Sequence, residues 1–233
     1  MKLVLFDIDG TLLWTDGAGR RAIQRALLDE AGTAGPIERY RFDGKTDPQI
    51  VSELLALAHH PRARDEATIQ AVCRRYVDHL RTELDRPAQT TTLMAGIDAL
   101  LGALEARQAE GKALIGLLTG NVEPGAILKL RSAGLDPARF RVGAYGSDSA
   151  RRAELPHVAA ERAAALTGWR FSGADVIVVG DTPDDVACCR PIGARCVAVA
   201  TGSYDAAALR ACGAAYVFET VVDTDAVLRA ILA

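Results

Sequence analysis

The chain has 233 residues, of which 49% are hydrophobic and 24% charged, and its formal net charge is −3. A chain of this length can bury one sizeable core, with or without a smaller companion domain. The slight negative charge argues against nucleic acid or an anionic membrane as a partner and favours a small-molecule substrate.

Targeting signals and a cysteine framework are not evident. We find no basic stretch followed by an apolar segment and a cleavage site, and no window of membrane-spanning length, so we expect a cytoplasmic protein. The five cysteines are scattered and include no C-x-x-C pair. This pattern indicates reduced core residues rather than disulfides or a zinc site.

The first segment, KLVLFDIDGTLL, predicts a short buried strand that ends at two acidic residues, Asp7 and Asp9. Residues 3–6 are apolar without alternation, which is typical of a strand in a parallel sheet, and Gly10 marks a sharp exit. Ligands of open α/β sheets bind at the carboxyl ends of the strands. We therefore expect Asp7 and Asp9 to lie in the ligand-binding crevice of the sheet.

Residues 17–84 predict helices and no strand. Three stretches carry helical patterns: AGRRAIQRALLDEAG, closed by Gly32, TDPQIVSELLALA, with Pro48 near its first helical position, and DEATIQAVCRRYVDHLRTEL. We expect their arginines to lie on solvated faces.

From about residue 89 the pattern changes to strands and helices in alternation. The strand candidates lie in KALIGLLTGN, ADVIVVGD, ARCVAVATG and AAYVFET. The predicted fold class is therefore α/β, with a doubly wound, Rossmann-like parallel sheet as the core and an inserted all-α domain. The predicted boundaries are 1–13 and 89–233 for the core and 14–88 for the insert.

Polar residues follow several of these strands. Besides the first pair, Thr119, Asp181 and Asp185 lie just after apolar strands, and the segment SDSARRAEL adds an arginine. The carboxyl ends of neighbouring parallel strands converge, so we expect these side chains to share one pocket. A cluster of carboxylates needs a cation, and an all-oxygen ligand set favours Mg²⁺ over zinc or copper.

The same pocket can bind a phosphoryl group. Thr119, Gly120 and Asn121 lie before a predicted helix and offer donors to an anion, and Arg152 or Arg151 offers a positive charge. A carboxylate such as Asp7 can then attack phosphorus, while Asp9 gives and later takes a proton.

The four segments DIDGT, LLTGN, ARRAEL and GDTPDD, in this order, resemble the motifs of the haloacid dehalogenase superfamily of phosphohydrolases. The resemblance implies Asp7 as nucleophile, Asp9 as acid/base and Thr119 as phosphate ligand. It also implies Mg²⁺ on Asp7, the Asp9 carbonyl and Asp181, with Asp185 in support.

The third motif departs from the family pattern, because it commonly supplies a lysine and none of the four lysines lies in that segment. An arginine must substitute for it. Arg152 is the choice because ARRAELP resembles an arginine variant of the motif, and Arg151 stays open.

The insert resembles the small α-helical cap of this superfamily. Within it, FDGKTDPQI resembles the specificity loop of phosphoglycolate phosphatase-like and phosphomutase-like members, with Gly44, Lys45 and Thr46 as the residues that reach the substrate. The alternative for this stretch is a turn with a helix cap at Thr46 or Asp47.

The resulting hypothesis is a Mg²⁺-dependent phosphatase that hydrolyses a small phosphorylated metabolite through an aspartyl phosphate, with phosphoglycolate as the nearest family substrate. A phosphomutase of the β-phosphoglucomutase kind uses the same residues and is the first alternative. A non-catalytic, phosphate-responsive regulator is the second, although it would need no acid at Asp9. Oligomeric state cannot be read from the sequence.

Overall fold

Eight strands and nine helices make up the protein, and the computed structural model describes all 233 residues. The strands are β1 (Lys2–Phe6), β2 (Leu13–Trp14), β3 (Thr92–Leu93), β4 (Ala113–Leu118), β5 (Val142–Ala144), β6 (Val176–Gly180), β7 (Arg195–Val199) and β8 (Tyr216–Phe218). The helices are α1 (Ala18–Ala31), α2 (Asp47–Leu57), α3 (Glu66–Leu84), α4 (Ile97–Ala109), α5 (Glu123–Ser132), α6 (Leu155–Thr167), α7 (Pro183–Cys188), α8 (Ala206–Ala211) and α9 (Thr224–Leu232).

Six strands form one parallel sheet in the order β5-β4-β1-β6-β7-β8, which confirms the predicted fold class. The strand β1 lies inside the sheet, with Phe6 opposite Leu117 on one side and Val179 on the other. Along the chain, β4 and β5 are added on one side of β1, and β6, β7 and β8 are added on the other side. The carboxyl end of β1 is therefore at the topological switch point, where open α/β sheets bind ligands.

The sheet contains one strand that the sequence analysis missed. The strand β5 has only three residues, Val142–Ala144, with a glycine in the middle, and it lies at the sheet edge beside β4. Three residues are too few to establish a hydrophobic period. The two-residue strands β2 and β3 were missed for the same reason.

Helices cover both faces of the sheet. Apolar residues of α4, α5 and α9 pack on one face, and those of α6, α7 and α8 on the other. Both faces of the strands are therefore buried, which explains their continuous apolar runs. All five cysteines are free thiols, and only Cys212 is partly exposed.

The segment between β2 and β3, residues 15–91, holds α1, α2 and α3, and we call it the helical insert. It has an apolar cluster of its own, centred on residues such as Leu27, Leu54 and Leu80. The strands β2 and β3 pair in antiparallel fashion at its base, with Leu13 opposite Leu93. The predicted boundaries of the insert lie at or near this ribbon.

None of the nine helices combines the length and the apolar character required to cross a membrane.

Candidate active site

The first acidic pair follows β1 at the switch point of the sheet. The Asp7 amide donates to the Val179 carbonyl (2.9 Å), which extends the strand pairing by one residue and buries the Asp7 carboxylate. Gly10 makes the following turn at φ +82°, and an added Cβ there would lie 2.4 Å from Asp181 Oδ2. The position needs glycine because of both the positive φ and the close approach of the two loops.

The second pair of acids follows the neighbouring strand β6. Asp181 Oδ1 accepts a hydrogen bond from the Thr11 hydroxyl (2.8 Å). Asp185 closes a capping box at the start of α7, because its Oδ2 accepts from the Thr182 amide (3.0 Å) and hydroxyl (2.6 Å). Carboxylate oxygens of Asp7, Asp181 and Asp185 lie within 4.8 Å of one another.

Arg152 connects the two pairs of acids. Its Nη2 donates to Asp185 Oδ1 (2.5 Å) and lies 3.1 Å from Asp7 Oδ2. The Nε atom of Arg152 is buried without a partner and is free to donate to an anion. Arg151 is 79% exposed and pairs with Glu154 instead. Of the two arginines, Arg152 is therefore the one that the structure brings to the acids.

The loop after β4 brings two further side chains to the site. Asn121 Nδ2 donates to Thr119 Oγ1 and to Asp9 Oδ2, both at 2.8 Å. Gly120 instead lies against the helical insert, since an added Cβ would be 2.1 Å from the Lys45 carbonyl oxygen. Thr119 and Asn121 thus face the acids, whereas the role of Gly120 here is close packing.

Gly44 and Lys45 of the insert both line the cavity above the acids. An added Cβ on Gly44 would lie 2.9 Å from Thr182 Oγ1, so glycine permits the close approach of the insert to the β6–α7 loop. The Lys45 ammonium is held by Glu53 (2.6 Å) and lies 4.3 Å from the centre of the Tyr40 ring. Its charge is therefore already partnered within the insert.

Thr46 and Asp47 attach the insert to the core. Thr46 is the N-cap of α2, as the alternative interpretation of this stretch predicted, and its hydroxyl also donates to the Ala150 carbonyl (2.9 Å). The Asp47 amide donates to the Gly120 carbonyl (2.8 Å), and Asp47 Oδ2 accepts from the Val122 amide (2.8 Å). These hydrogen bonds hold the start of α2 on the loop that carries Thr119 and Asn121.

Lys129 belongs to the site and was missed. Its Nζ donates to Asp9 Oδ1 (2.8 Å) and Oδ2 (2.7 Å), and its side chain is only 6% exposed. A basic partner for the acids was expected only in the third motif, where the chain has arginines. The available signal was the helical spacing in α5, where Lys129 falls on the same buried face as Ala126 and Leu130.

A cavity of about 460 Å³ lies between the core and the insert. The core contributes Asp7, Asp9, Asp181, Thr119, Asn121 and Arg152, and the insert contributes residues of its first helix and of the loop before α2. The cavity is large enough for a small metabolite and opens onto Asp7 and Asp9.

A family model of haloacid dehalogenase-like hydrolases matches residues 1–193. The chain belongs to the haloacid dehalogenase-like hydrolases. It is 30% identical over 228 residues to a phosphoglycolate phosphatase from Rhodospirillum rubrum, a match that covers 94% of this chain and 87% of that enzyme. The resemblance inferred from the four motifs is thereby confirmed, and the protein is an enzyme.

Solved structures agree with this assignment at the level of the fold. CbbY from Rhodobacter sphaeroides, solved in complex with phosphate, superposes with a TM-score of 0.73 at 19% identity and covers 96% of both chains. A hydrolase from Pseudomonas syringae superposes with a TM-score of 0.67 at 20% identity, covering 98% of this chain and 97% of that one.

The electrostatics of this hydrolase site favour an added cation. Burial raises the pKa of Asp7 to about 6, with Asp185 and Asp9 adding to the rise and Arg152 opposing it. Burial, with Asp185 and Asp7, also raises the pKa of Asp181 well above its usual range. The carboxylates thus outweigh the single guanidinium, and a divalent cation would stabilise their ionised forms.

The oxygen atoms of the site fit such a cation. Asp181 Oδ2 and the main-chain carbonyl of Asp9 accept no hydrogen bond from the protein, whereas both carboxylate oxygens of Asp185 are occupied by Thr182 and Arg152. An all-oxygen ligand set is what hard divalent cations prefer. Asp7 and Asp181 therefore offer carboxylate oxygens to a cation, the Asp9 carbonyl stays a predicted ligand, and Asp185 holds Arg152.

Proposed function

We propose that this hydrolase is a cytoplasmic, Mg²⁺-dependent phosphatase that acts on a small phosphorylated metabolite through an aspartyl phosphate on Asp7. The observation that carries the proposal is the buried Asp7 carboxylate, 3.1 Å from Arg152 and grouped with Asp181 at the cavity floor. A nucleophilic carboxylate beside a fixed cation and a free metal-binding oxygen suits attack on a phosphate ester.

In the first step an Asp7 oxygen attacks phosphorus, and the bond from phosphorus to the ester oxygen breaks. Asp9 gives its proton to the departing alkoxide, so that an alcohol leaves. Arg152 and Thr119 bind the phosphoryl oxygens, which carry the developing negative charge. Mg²⁺ on Asp7, the Asp9 carbonyl and Asp181 would offset the charge that the substrate phosphate brings to the acids.

In the second step water attacks the aspartyl phosphate, and Asp9 accepts a proton from that water. Inorganic phosphate leaves and the Asp7 carboxylate is restored. Asp9 therefore changes role between the steps, which requires it to reach both the leaving oxygen and the incoming water.

The substrate proposal comes from the relative in Rhodospirillum rubrum, which is a phosphoglycolate phosphatase. Phosphoglycolate is therefore the first phosphoester to test, and the cavity of about 460 Å³ accommodates it. Residues Gly44 and Lys45 line this cavity and stay candidates for specificity, whereas the Thr46 hydroxyl is bonded to the core.

The deciding experiment measures phosphate release from a panel of phosphomonoesters with Mg²⁺ and with a chelator. We expect turnover only with Mg²⁺, a loss of at least about a thousandfold in Asp7→Asn and a loss of about 10²–10⁴-fold in Asp9→Asn. Asp225→Asn, the same chemical change at an exposed position in α9, is the matched control and should keep full activity.

Three results would overturn the proposal. Isomerisation of a sugar phosphate without phosphate release would indicate a mutase. Binding of inorganic phosphate with no turnover of any ester would indicate a regulator. Full activity of Asp7→Asn would remove the assigned nucleophile.

A further inference from the structure

A buried lysine lies between the two parts of the protein. Lys129 belongs to α5 of the core, and the residue is 5% exposed. Its ammonium also borders the insert, since an added Cβ on Gly19 of α1 would lie 3.4 Å from Nζ and 3.8 Å from the Tyr76 hydroxyl. Burying an ammonium group is costly unless it is paired and hydrogen-bonded.

Asp9 provides that pairing through both of its carboxylate oxygens. The distances from Lys129 Nζ are 2.8 Å to Oδ1 and 2.7 Å to Oδ2, and Oδ2 accepts a further hydrogen bond from Asn121 (2.8 Å). Asp9 is itself more than one third exposed on its cavity side. Lys129 and Asn121 thus hold the carboxylate on one side, and its other side faces the cavity in which a substrate would bind.

The stability of α5 does not require a lysine at position 129. The buried face of α5 otherwise consists of small and apolar residues, including Ala126 and Leu130, and an apolar side chain at position 129 would extend it. Replacement of a buried ion pair by packed apolar groups is often neutral or stabilising. The charge at position 129 is therefore better explained by its hydrogen bonds to the Asp9 carboxylate.

We propose that Lys129 is a positioning residue that holds the Asp9 carboxylate in the orientation needed for proton transfer to the leaving oxygen. This inference rests on the proposed phosphatase function. Lys129 itself transfers no proton and acts on the substrate only through Asp9. Both residues that hold the Asp9 carboxylate, Lys129 and Asn121, belong to the core, and Gly19 of the insert lies beside the Lys129 ammonium.

The test compares two leaving groups. An alkyl phosphate such as phosphoglycolate needs a proton on its departing oxygen, whereas p-nitrophenyl phosphate releases a stable phenolate and depends little on the acid. We expect Lys129→Met to lower kcat/KM for the alkyl ester about 10–100-fold, part of the usual contribution of general acid catalysis, and that for p-nitrophenyl phosphate less than about threefold.

Three variants make the comparison specific. Arg131→Met removes a basic side chain from an exposed position of the same helix and should leave both substrates unaffected. Lys129→Arg keeps the charge and should recover part of the activity on the alkyl ester. In an Asp9→Asn background, Lys129→Met should add little further loss, because both changes act on the same group.

Folding is checked by thermal unfolding of each variant. If Lys129→Met does not fold, Lys129→Gln keeps one donor for Asp9 and carries the same comparison, with a smaller loss of the same selectivity. Equal losses on the two substrates, no loss on either, or additivity with Asp9→Asn would each overturn the positioning role. The alkyl ester used is one that the wild-type enzyme turns over in the panel; if it turns over none, the phosphatase proposal fails first and this inference fails with it.

Discussion

The core and the helical insert hold the polar side chains of the cavity in different ways. Asp7, Arg152 and Asp181 of the core are buried and bonded across strand ends. On the insert, Arg39 and Arg41 lie exposed in the loop before α2. The sheet edge therefore holds its polar groups in fixed, buried hydrogen bonds, whereas the insert also presents exposed charged side chains to the cavity.

The core and the helical insert meet at the start of α2. There the insert is hydrogen-bonded to the core main chain: the Asp47 amide donates to the Gly120 carbonyl, the Asp47 carboxylate accepts from the Val122 amide, and the Thr46 hydroxyl donates to the Ala150 carbonyl. Val122 also packs into the apolar cluster of the insert. The position of the insert is therefore tied to the loop that carries Thr119 and Asn121.

Among the changes that compare the core with the insert, the largest effect is expected at Arg152 of the core. Arg152→Met removes the guanidinium beside Asp7 and should lower kcat/KM about 10²–10³-fold, as loss of one donor to a developing anion does. Arg152→Lys keeps the charge without the planar fork and should lose less. Arg151→Met is the matched control, and steady-state kinetics of the three variants provide the measurement. A larger loss in Arg151→Met would reverse the assignment between the two arginines.

A smaller effect is expected where the core and the insert touch. Gly120→Ala would place a Cβ 2.1 Å from the Lys45 carbonyl oxygen, and overpacking of this kind costs about 1–3 kcal/mol. Because the cost falls on the contact between insert and core, we expect kcat/KM to fall about tenfold.

Gly102→Ala is the control for Gly120→Ala. Gly102 lies exposed inside α4 with nothing within 4 Å of an added Cβ, so this change should leave kinetics unaltered and raise stability by about 0.5–1 kcal/mol. Equal kinetics in the two alanine variants would show that the contact at Gly120 has no influence on catalysis.

The last expected effect concerns the pH dependence of stability rather than catalysis. Burial raises the pKa of Asp47 from 3.8 to about 6, so the folded state binds this proton more tightly than the unfolded chain. Ionisation of Asp47 therefore lowers the free energy of unfolding as pH rises from about 4 to about 6. Asp47→Asn keeps an oxygen for the Val122 amide and should become more stable than wild type by about 1–3 kcal/mol over this range.

Urea unfolding at pH 4.5 and 7.5 measures the difference. Asp65→Asn is the control, because hydrogen bonds from Thr68 lower the pKa of Asp65 below 3.8 and the group is ionised at both pH values. The stability difference between Asp65→Asn and wild type should therefore be nearly the same at pH 4.5 and 7.5. A constant difference between Asp47→Asn and wild type would contradict the raised pKa.

Local patterns in the sequence were sufficient for the longer strands, for the helices of the insert and for the acids that follow the strands. Continuous apolar runs predicted β1, β4 and β6, and the polar residues after them predicted which strand ends carry the site. Helical periodicity predicted the three helices of the insert, and local signals predicted the end of the first at Gly32 and the start of the second at Thr46 or Asp47. These features depend on neighbouring residues in the chain, so a single sequence reveals them.

Only the tertiary structure decided which distant side chains meet. Lys129 reaches Asp9 across 120 positions of sequence, Asp47 reaches Val122 across 75, and Arg152 rather than Arg151 reaches Asp185. Such pairs depend on how α5, the insert and the strand ends pack together. Periodicity places a residue on a buried face, but the partner that it meets there is set by the packing of the whole chain.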